Sequence, residues 1–282
     1  LLELLDPEEN HCQALILAPT RELARQVASD FATLAGENGP KVVPVFGGVG
    51  YKGQLDAFKQ GVQVVVGTPG RILDHLMRGA LKLDNLRVLI FDEADRMLSI
   101  GFYPDMKEIQ GYLPRDGYSA FMFSATFPQS VLRLADQFLH TPELESLSGE
   151  ESDVADIEHV FYQVPGMGKE RVLVQVIEIE NPDSAIIFCN TKSEVSFVTA
   201  VLKRFGFNAE ELSSDLSQNK RERVLDRIKA GSIRFLVATD VVGRGIDIQE
   251  LSHVFLYDLP EDPESYVHRS GRTGRAGATG TV

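Results

Sequence analysis

Paired carboxylates stand where an apolar run ends in the first half of the sequence. Asp92, Glu93 and Asp95 directly follow the run 88–91, so they lie at the carboxyl end of a predicted strand. Ligands of open parallel sheets bind at that end. Carboxylates there suit the magnesium of a nucleoside triphosphate and the water that attacks its γ-phosphate. The simpler interpretation is a helix start, with Asp92 as the cap and Glu93 in the first turn.

Arginines and helix starts supply the opposite charge. Arg272 and Arg275 are separated by Thr273-Gly274, so both guanidinium groups can reach one phosphate. The alternative is a solvated basic loop. Thr20-Arg21 and the segment 68–71 each open a predicted helix after a strand, where unpaired backbone N–H groups bind phosphate.

Local structure explains part of the segment 68–71. Thr68 is expected to be an N-cap with Pro69 in the first helical position, whereas Arg71 needs a functional explanation. Gly47-Gly48 lets the backbone approach a ligand closely.

An alternation of short apolar runs and amphipathic stretches positions these residues, and it predicts parallel sheets buried on both faces. In the first half the predicted strands are 14–17, 42–46, 62–66, 88–91 and 118–123, and the helices are 21–34, 55–60, 71–78, the turn-rich stretch 96–113 and 130–139. In the second half the predicted strands are 159–164, 185–189, 210–212, 234–238 and 254–257, and the helices are 169–177, 193–205 and 220–230.

An acidic stretch divides the 282 residues. Between positions 141 and 160 there are seven acidic residues and no Lys or Arg, without sustained apolar periodicity. We therefore predict a first domain at 1–142, a linker at 143–156 and a second domain at 157–282. Two α/β domains joined in this way are expected to form a ligand-binding cleft.

Composition restricts the partners and the compartment. The net charge of -13 argues at first against nucleic acid, although much of it comes from the acidic stretch, and a small RNA footprint with modest, salt-sensitive affinity remains compatible. Cys12 and Cys189 have no partner at metal-ligand spacing, which predicts buried thiols and a cytoplasmic location. No apolar run is long enough to span a bilayer, so no membrane partner is expected.

Several motifs, together and in this order, resemble those of the DEAD-box family of ATP-dependent RNA helicases. They are Pro19-Thr20-Arg21-Glu22-Leu23-Ala24, Gly47-Gly48, Thr68-Pro69-Gly70-Arg71, Asp92-Glu93-Ala94-Asp95, Ser124-Ala125-Thr126, Ala238-Thr239-Asp240, Arg244-Gly245-Ile246-Asp247 and His268-Arg269-Ser270-Gly271-Arg272-Thr273-Gly274-Arg275. The resemblance implies an α/β fold of two RecA-like domains, each a mostly parallel sheet flanked by helices, with ATP and Mg²⁺ as cofactors and RNA as partner.

The resemblance also implies roles for single residues. Asp92 would hold magnesium through water, and Glu93 would orient or deprotonate the attacking water. Asp95 would bond across to the second domain. The remaining catalytic positions are Ser124 and Thr126, which would bond Asp95 and His268, and the fingers Arg272 and Arg275; Gly245 and Asp247 would contact the nucleotide, Asp247 at its ribose.

The predicted RNA contacts grip the backbone and carry little sequence specificity. They are Pro19, Thr20, Arg21, Gly47, Gly48, Thr68, Pro69, Gly70, Arg71, Asn190, Thr191, Gln218, Arg221, Thr239 and Asp240.

One expected element is missing from the sequence. No segment matches Gly-x-x-x-x-Gly-Lys-Ser/Thr, the loop that cradles the phosphates of ATP, so we expect a truncated chain that binds ATP poorly and hydrolyses almost none. The favoured function is the core of an ATP-dependent RNA helicase. The alternatives are an RNA-clamping scaffold without ATP turnover and a DNA translocase, the latter disfavoured because many DNA-acting relatives carry His at the position of Asp95.

Overall fold

Two compact units, Leu1–Glu145 and Ser146–Val282, make up the chain. The computed structural model describes residues 1–146, 157–164, 168–213, 216, 218–240, 251–274 and 279–282. Each unit is a parallel sheet with flanking helices, which confirms the predicted α/β fold class. Most of the predicted acidic linker, 143–156, lies outside the described residues, and the predicted domain boundaries stay predictions.

The first unit contains a parallel sheet whose described strands have the order β2-β3-β1-β4-β5. The strands are β1 Ala14–Leu17, β2 Val42–Val45, β3 Val64–Gly67, β4 Val88–Phe91 and β5 Ser119–Met122. The helices are α1 Arg21–Ala35, α2 Lys52–Lys59, α3 Pro69–Met77, α4 Ala94–Ser99, α5 Tyr103–Gln110 and α6 Gln129–Phe138.

Both faces of the central strands are covered. On β1, Leu15 and Leu17 belong to an apolar cluster with residues of α3, α4, α5 and α6, whereas Ile16 belongs to a cluster with residues of α1. Side chains alternate between the faces of a strand, so a strand covered on both sides needs apolar residues throughout. This explains why the continuous apolar runs of the sequence became strands.

Strand β5 is different because it lies at the edge of the sheet. Among the described strands it pairs with β4 alone. Phe121 is 45% exposed and Phe123, just after the strand, is 56% exposed. The apolar face at this edge is therefore open to solvent.

The second unit contains a sheet whose described strands have the order β6-β11-β10-β7-β9-β8, again parallel. The strands are β6 Ile157–Glu158, β7 Ala185–Phe188, β8 Ala209–Leu212, β9 Phe235–Ala238, β10 His253–Leu256 and β11 Gly280–Thr281. The helices are α7 Lys169–Glu180, α8 Lys192–Arg204, α9 Gln218–Lys229 and α10 Pro263–Ser270.

Two predicted elements and one helix that was not predicted are the main differences between the expected and the observed elements. The helix predicted at 96–113 is two helices, α4 and α5, because the chain turns at Gly101, whose φ of 92° suits glycine. The strand predicted at 159–164 is wrong, since β6 is Ile157–Glu158 and Phe161 is 91% exposed. Helix α10 was not predicted, although Asp262 caps it by accepting from Ser265 N at 2.6 Å and Pro263 takes the first helical position.

In the part of the chain that the structure describes, no helix combines the length and the apolar character that crossing a bilayer requires.

Candidate functional site

The carboxylate segment is fixed at the carboxyl ends of neighbouring strands. Asp92 N donates to Leu17 O at 2.9 Å, and Ala94 N donates to Phe123 O at 3.0 Å. The Asp92 side chain is half-buried, and its pKa is raised by that burial and by the nearby negative charge of Glu93. The charged form of Asp92 is therefore less favourable here than in an exposed aspartate.

Glu93 has a strained backbone. Its φ of 51° and ψ of 56° place it in the left-handed region, which costs a non-glycine residue about 1–3 kcal/mol. Glu93, not Asp92, occupies the N-cap position of α4, so the simpler interpretation of Asp92 as the cap is wrong. The Glu93 side chain makes no capping bond. Its Oε2 accepts from Arg96 Nη1 at 2.8 Å, and Arg96 is only 1% exposed.

Asp95 joins the carboxylate segment to the loop after β5. Its Oδ2 accepts from Thr126 N at 3.1 Å and from Thr126 Oγ1 at 2.8 Å. Asp95 N donates to Ser124 Oγ at 3.2 Å, and Ser124 Oγ donates to Thr126 O at 2.7 Å. The contact that the resemblance implies between Asp95 and Thr126 is thus present. The implied bonds to His268 and to the second domain stay predictions.

The donor set suits magnesium that arrives with a nucleotide. Within the described residues, no group of three or more His, Cys, Asp or Glu side chains could hold a metal ion. Mg²⁺ commonly takes one or two protein carboxylates and completes its octahedron with phosphate oxygens and water. The half-buried Asp92 carboxylate fits that pattern.

Four of the predicted RNA-binding residues come together at one corner of the first unit. A β-carbon built on Gly47 would lie 3.9 Å from a guanidinium nitrogen of both Arg21 and Arg71. Gly48 has a φ of +79°, and a β-carbon there would overlap the Arg21 guanidinium. The positive φ therefore favours glycine at position 48, and the turn brings two arginine side chains beside partly exposed backbone.

Arg71 is held by three contacts at this corner. Both of its Nη atoms lie 3.3 Å from Val49 O, and its Nη1 also donates to Gln54 Oε1 at 3.3 Å. Its Cζ lies 4.3 Å from the centroid of the Tyr51 ring, a cation–π arrangement. These contacts fix the orientation of the Arg71 guanidinium.

The helix starts beside these arginines differ in how they are capped. Thr20 Oγ1 accepts from Leu23 N at 3.2 Å, after the buried Pro19. Thr68 is the N-cap of α3 with Pro69 at the first helical position, as predicted, but its side chain makes no capping bond. A β-carbon on Gly70 would lie 3.3 Å from Asp105 Oδ2, so α5 packs close to this start.

In the second unit a buried arginine connects two predicted RNA-binding residues. Arg269, 1% exposed, donates to both carboxylate oxygens of Asp240 at 2.7 and 2.6 Å and to Asn190 Oδ1 at 2.7 Å. It also donates to Asp258 O at 2.6 Å. Both side chains have partners inside the protein, so their contact with RNA stays a prediction.

The other predicted residues of the second unit lie on or next to several different elements. Thr191 caps α8 in a capping box with Glu194, and Arg272 Nε donates to His268 O at 3.2 Å. Thr239 and Arg221 are buried, at 9% and 7% exposure. Gln218 is the first residue of α9. Gly245, Asp247 and Arg275 lie outside the described residues.

Sequence reasoning missed four residues that hold the predicted ones in place: Arg96, Arg269, Gln54 and His75. The spacing of Glu93 and Arg96 is that of neighbours on a helix, so this pair was accessible from the sequence. Arg269 lies within the last motif, but its partners are 79 and 29 residues away along the chain. No local sequence pattern predicts the contacts of Arg269 with Asn190 and Asp240.

Family models match most of the chain. A model described as "DEAD/DEAH box helicase" matches residues 1–134, and one described as "Helicase conserved C-terminal domain" matches residues 168–277. The chain is 41% identical over 282 residues to the DEAD-box ATP-dependent RNA helicase CshA of Geobacillus kaustophilus, covering all of this chain and 60% of that protein. It is 46% identical over 276 residues to the ATP-dependent RNA helicase DeaD of Haemophilus influenzae, covering 97% of this chain and 44% of that protein. The chain thus spans about half the length of these curated relatives.

Solved structures agree with the sequence matches. Dbp5 of S. cerevisiae, bound to RNA and ADP BeF3, is 32% identical with a TM-score of 0.84, covering 99% of this chain and 72% of that one. Mss116p, bound to ssRNA and AMP-PNP, is 26% identical with a TM-score of 0.81, covering 97% of this chain and 59% of that one. The carboxylates Asp92, Glu93 and Asp95 follow β4, and Asp95 is bonded to Thr126 in the loop after β5. This geometry accompanies the matches to the family models and relatives. The chain belongs to the DEAD-box helicase family.

Proposed function

We propose that this chain is the core of an ATP-dependent RNA helicase, which couples ATP binding and hydrolysis to local unwinding of RNA duplexes. The observation that carries the proposal is the arrangement of Asp92, Glu93 and Asp95 after β4, with Asp95 bonded to Thr126. The relatives' names, and the RNA and nucleotide analogues in the titles of the similar structures, support the same function.

The chemistry assigned to Glu93 follows from its contacts. Arg96 Nη1 holds Oε2, while Oε1 has no hydrogen-bond partner among the described residues. A carboxylate oriented in this way can accept a proton from a water that attacks a phosphate. Magnesium held through Asp92 would supply positive charge that offsets the charge on the phosphates. Arg96 is then a positioning residue, since it acts through Glu93.

The RNA role belongs to the corner defined by Arg21, Gly47, Gly48 and Arg71. Two guanidinium groups beside a glycine turn can bind phosphate oxygens bidentately, with backbone N–H groups at the same place. Such contacts do not read bases, so we expect weak sequence preference. With a net charge of -13, we expect modest affinity that falls as salt rises.

The remaining assignments belong to the same proposal and rest on the family. They place the first domain at 1–142 and the second at 157–282, nucleotide contacts at Gly245, Asp247, Arg272 and Arg275, and communication with RNA at Ser124, Thr126 and His268. RNA contacts in the second domain are assigned to Asn190, Thr191, Gln218, Arg221, Thr239 and Asp240. We also propose a cytoplasmic location, since both thiols are buried and free.

The test uses an intact protein that carries this chain together with a phosphate-binding loop. Replacing Glu93 with Gln removes the proton acceptor at nearly constant shape and should lower RNA-stimulated ATPase activity by about 100-fold or more. Glu108→Gln, an exposed position on α5, makes the same charge change and should leave the rate unaltered. An unchanged rate in Glu93→Gln would remove Glu93 from its role.

Two further measurements separate the alternatives. Wild-type protein that binds RNA but shows no RNA-stimulated turnover would be a clamp. Competition between RNA and DNA of equal sequence would identify a DNA translocase, if DNA were the better competitor.

A further inference from the structure

Two buried polar side chains lie behind Arg71. Gln54 on α2 is 5% exposed and His75 on α3 is 0% exposed, although neither residue type is common in a protein core. Gln54 Nε2 donates to Phe46 O at 3.1 Å. Because only the amide nitrogen can donate to a carbonyl, this bond fixes the orientation of the Gln54 amide. Its Oε1 therefore faces α3.

The fixed amide determines the protonation of His75. His75 Nε2 lies 2.7 Å from Gln54 Oε1, and since that oxygen only accepts, Nε2 carries the hydrogen. His75 Nδ1 is buried and has no hydrogen-bond partner within the described residues. Burial, together with the positive charge of Arg71, lowers the pKa of His75. The ring is thus a neutral donor with one defined tautomer.

Aromatic contacts hold the His75 ring in this orientation. The rings of Tyr51 and Phe58 meet it edge to face, with centroids 5.6 and 5.0 Å away. Tyr51 also lies under the Arg71 guanidinium. The donor of His75, the acceptor of Gln54 and the cation of Arg71 therefore form one connected cluster.

The chemistry of the acceptor matters for Arg71. A carboxylate at this position would orient the guanidinium but would also cancel its charge, which a phosphate ligand needs. A glutamine oxygen orients the guanidinium and leaves its charge for the ligand. His75 occupies a second lone pair of the same oxygen and so limits the positions that Gln54 can adopt.

We propose that Gln54 and His75 are positioning residues for RNA: His75 donates to Gln54, and Gln54 holds the Arg71 guanidinium beside Gly47-Gly48. The inference rests on the proposed contact of Arg71 with RNA phosphate and extends it to residues that no motif in the sequence identified.

The test compares two substitutions of His75 with opposite properties. His75→Phe keeps a ring for packing but loses the donor, whereas His75→Gln loses the ring but keeps an N–H near the position of Nε2. Binding of this chain to fluorescein-labelled oligouridylate is measured by anisotropy at low salt. His75→Phe should weaken binding by about fivefold, the equivalent of about 1 kcal/mol for one hydrogen bond, and His75→Gln should bind more tightly than His75→Phe.

A double-mutant cycle with Arg71→Ala supplies the decisive control. In the Arg71→Ala background, His75→Phe should have no further effect on RNA affinity. The inference would be overturned if His75→Phe weakened RNA binding equally in the wild-type and Arg71→Ala backgrounds. It would also be overturned if His75→Phe bound RNA with wild-type affinity. If Arg71→Ala itself binds RNA like the wild type, the proposed RNA contact of Arg71 is wrong, and this result is distinct from a failure of His75 alone.

Gln54→Glu tests the charge argument and replaces the His75 variants if these do not fold. It keeps the size and the acceptor at position 54 and adds a negative charge next to Arg71. It also removes the donor to Phe46 O, so we expect a lower thermal midpoint together with weaker RNA binding by the folded protein. Affinity equal to that of the wild type would overturn the role of Gln54.

Discussion

Replacing Arg269 with methionine removes a guanidinium that the second unit buries almost completely. The side chain is 1% exposed, and its four donated hydrogen bonds end on Asp240, Asn190 and Asp258 O. Breaking a buried ion pair by removing one partner costs about 3–5 kcal/mol. Asp240 keeps 27% exposure, so water compensates part of its charge. For Arg269→Met we therefore expect a loss of stability at the lower end of this range, about 3 kcal/mol.

The buried thiols provide an assay that is specific to each unit. Cys189 is fully buried in the second unit, and burial, with the nearby charges of Asp258 and Glu194, raises its pKa to about 12. Burial also raises the pKa of Cys12, in the first unit, to about 12. Both thiols should react with an alkylating reagent only through opening of the structure. A loss of about 3 kcal/mol in the unfolding free energy of the second unit should speed the labelling of Cys189 by about a hundredfold. The labelling rate of Cys12 should stay unaltered.

Lys203→Met is the matched control in the same unit. Lys203 is 49% exposed and pairs with Glu210, which also accepts from Arg227. Exposed pairs contribute about 0–1 kcal/mol, so Cys189 labelling should change little. Equal labelling rates in Arg269→Met and Lys203→Met would refute the reasoning, because the buried network would then stabilise no more than a surface pair.

Two further predictions concern the first unit. Asp92→Asn should stabilise it by about 0.5–2 kcal/mol at pH 7, since burial and Glu93 raise the pKa of Asp92 and its charged form therefore costs stability. The gain should disappear as the pH falls toward the ordinary aspartate pKa, where Asp92 is protonated, and urea unfolding at pH 7 and pH 4 measures it. Arg71→Ala should reduce the slope of log K against log[salt] for single-stranded RNA by about 0.7, with no reduction expected for the exposed Lys59→Ala.

Local patterns sufficed for most of the strands but not for the contacts between motifs. β1 and β4 have the predicted bounds, because continuous apolar runs such as Ala14–Leu17 fit a strand covered on both faces. The left-handed backbone of Glu93 was not predicted, since glutamate has no preference for that region and the surrounding structure imposes it.

Long-range contacts were also beyond the sequence. Gln54 lies 17 residues from Arg71 and 21 residues from His75 along the chain. The three side chains come into contact only because α2 and α3 lie next to each other in the fold. Helix α10 had local signals in Asp262 and Pro263, but no helix was predicted at those residues. The structure therefore adds residues that contact the predicted ones, whose roles stay predictions.

Strand β5 offers unpaired backbone groups along its outer side among the described strands. An edge strand presents a row of backbone N–H and C=O groups, and Phe121 and Phe123 add an apolar surface next to that row. Such an edge can pair with further extended backbone, whether from another segment of the same protein or from another molecule. Phe121→Lys would place a charge on this edge strand, and natural sheets use such charges to prevent edge-to-edge pairing.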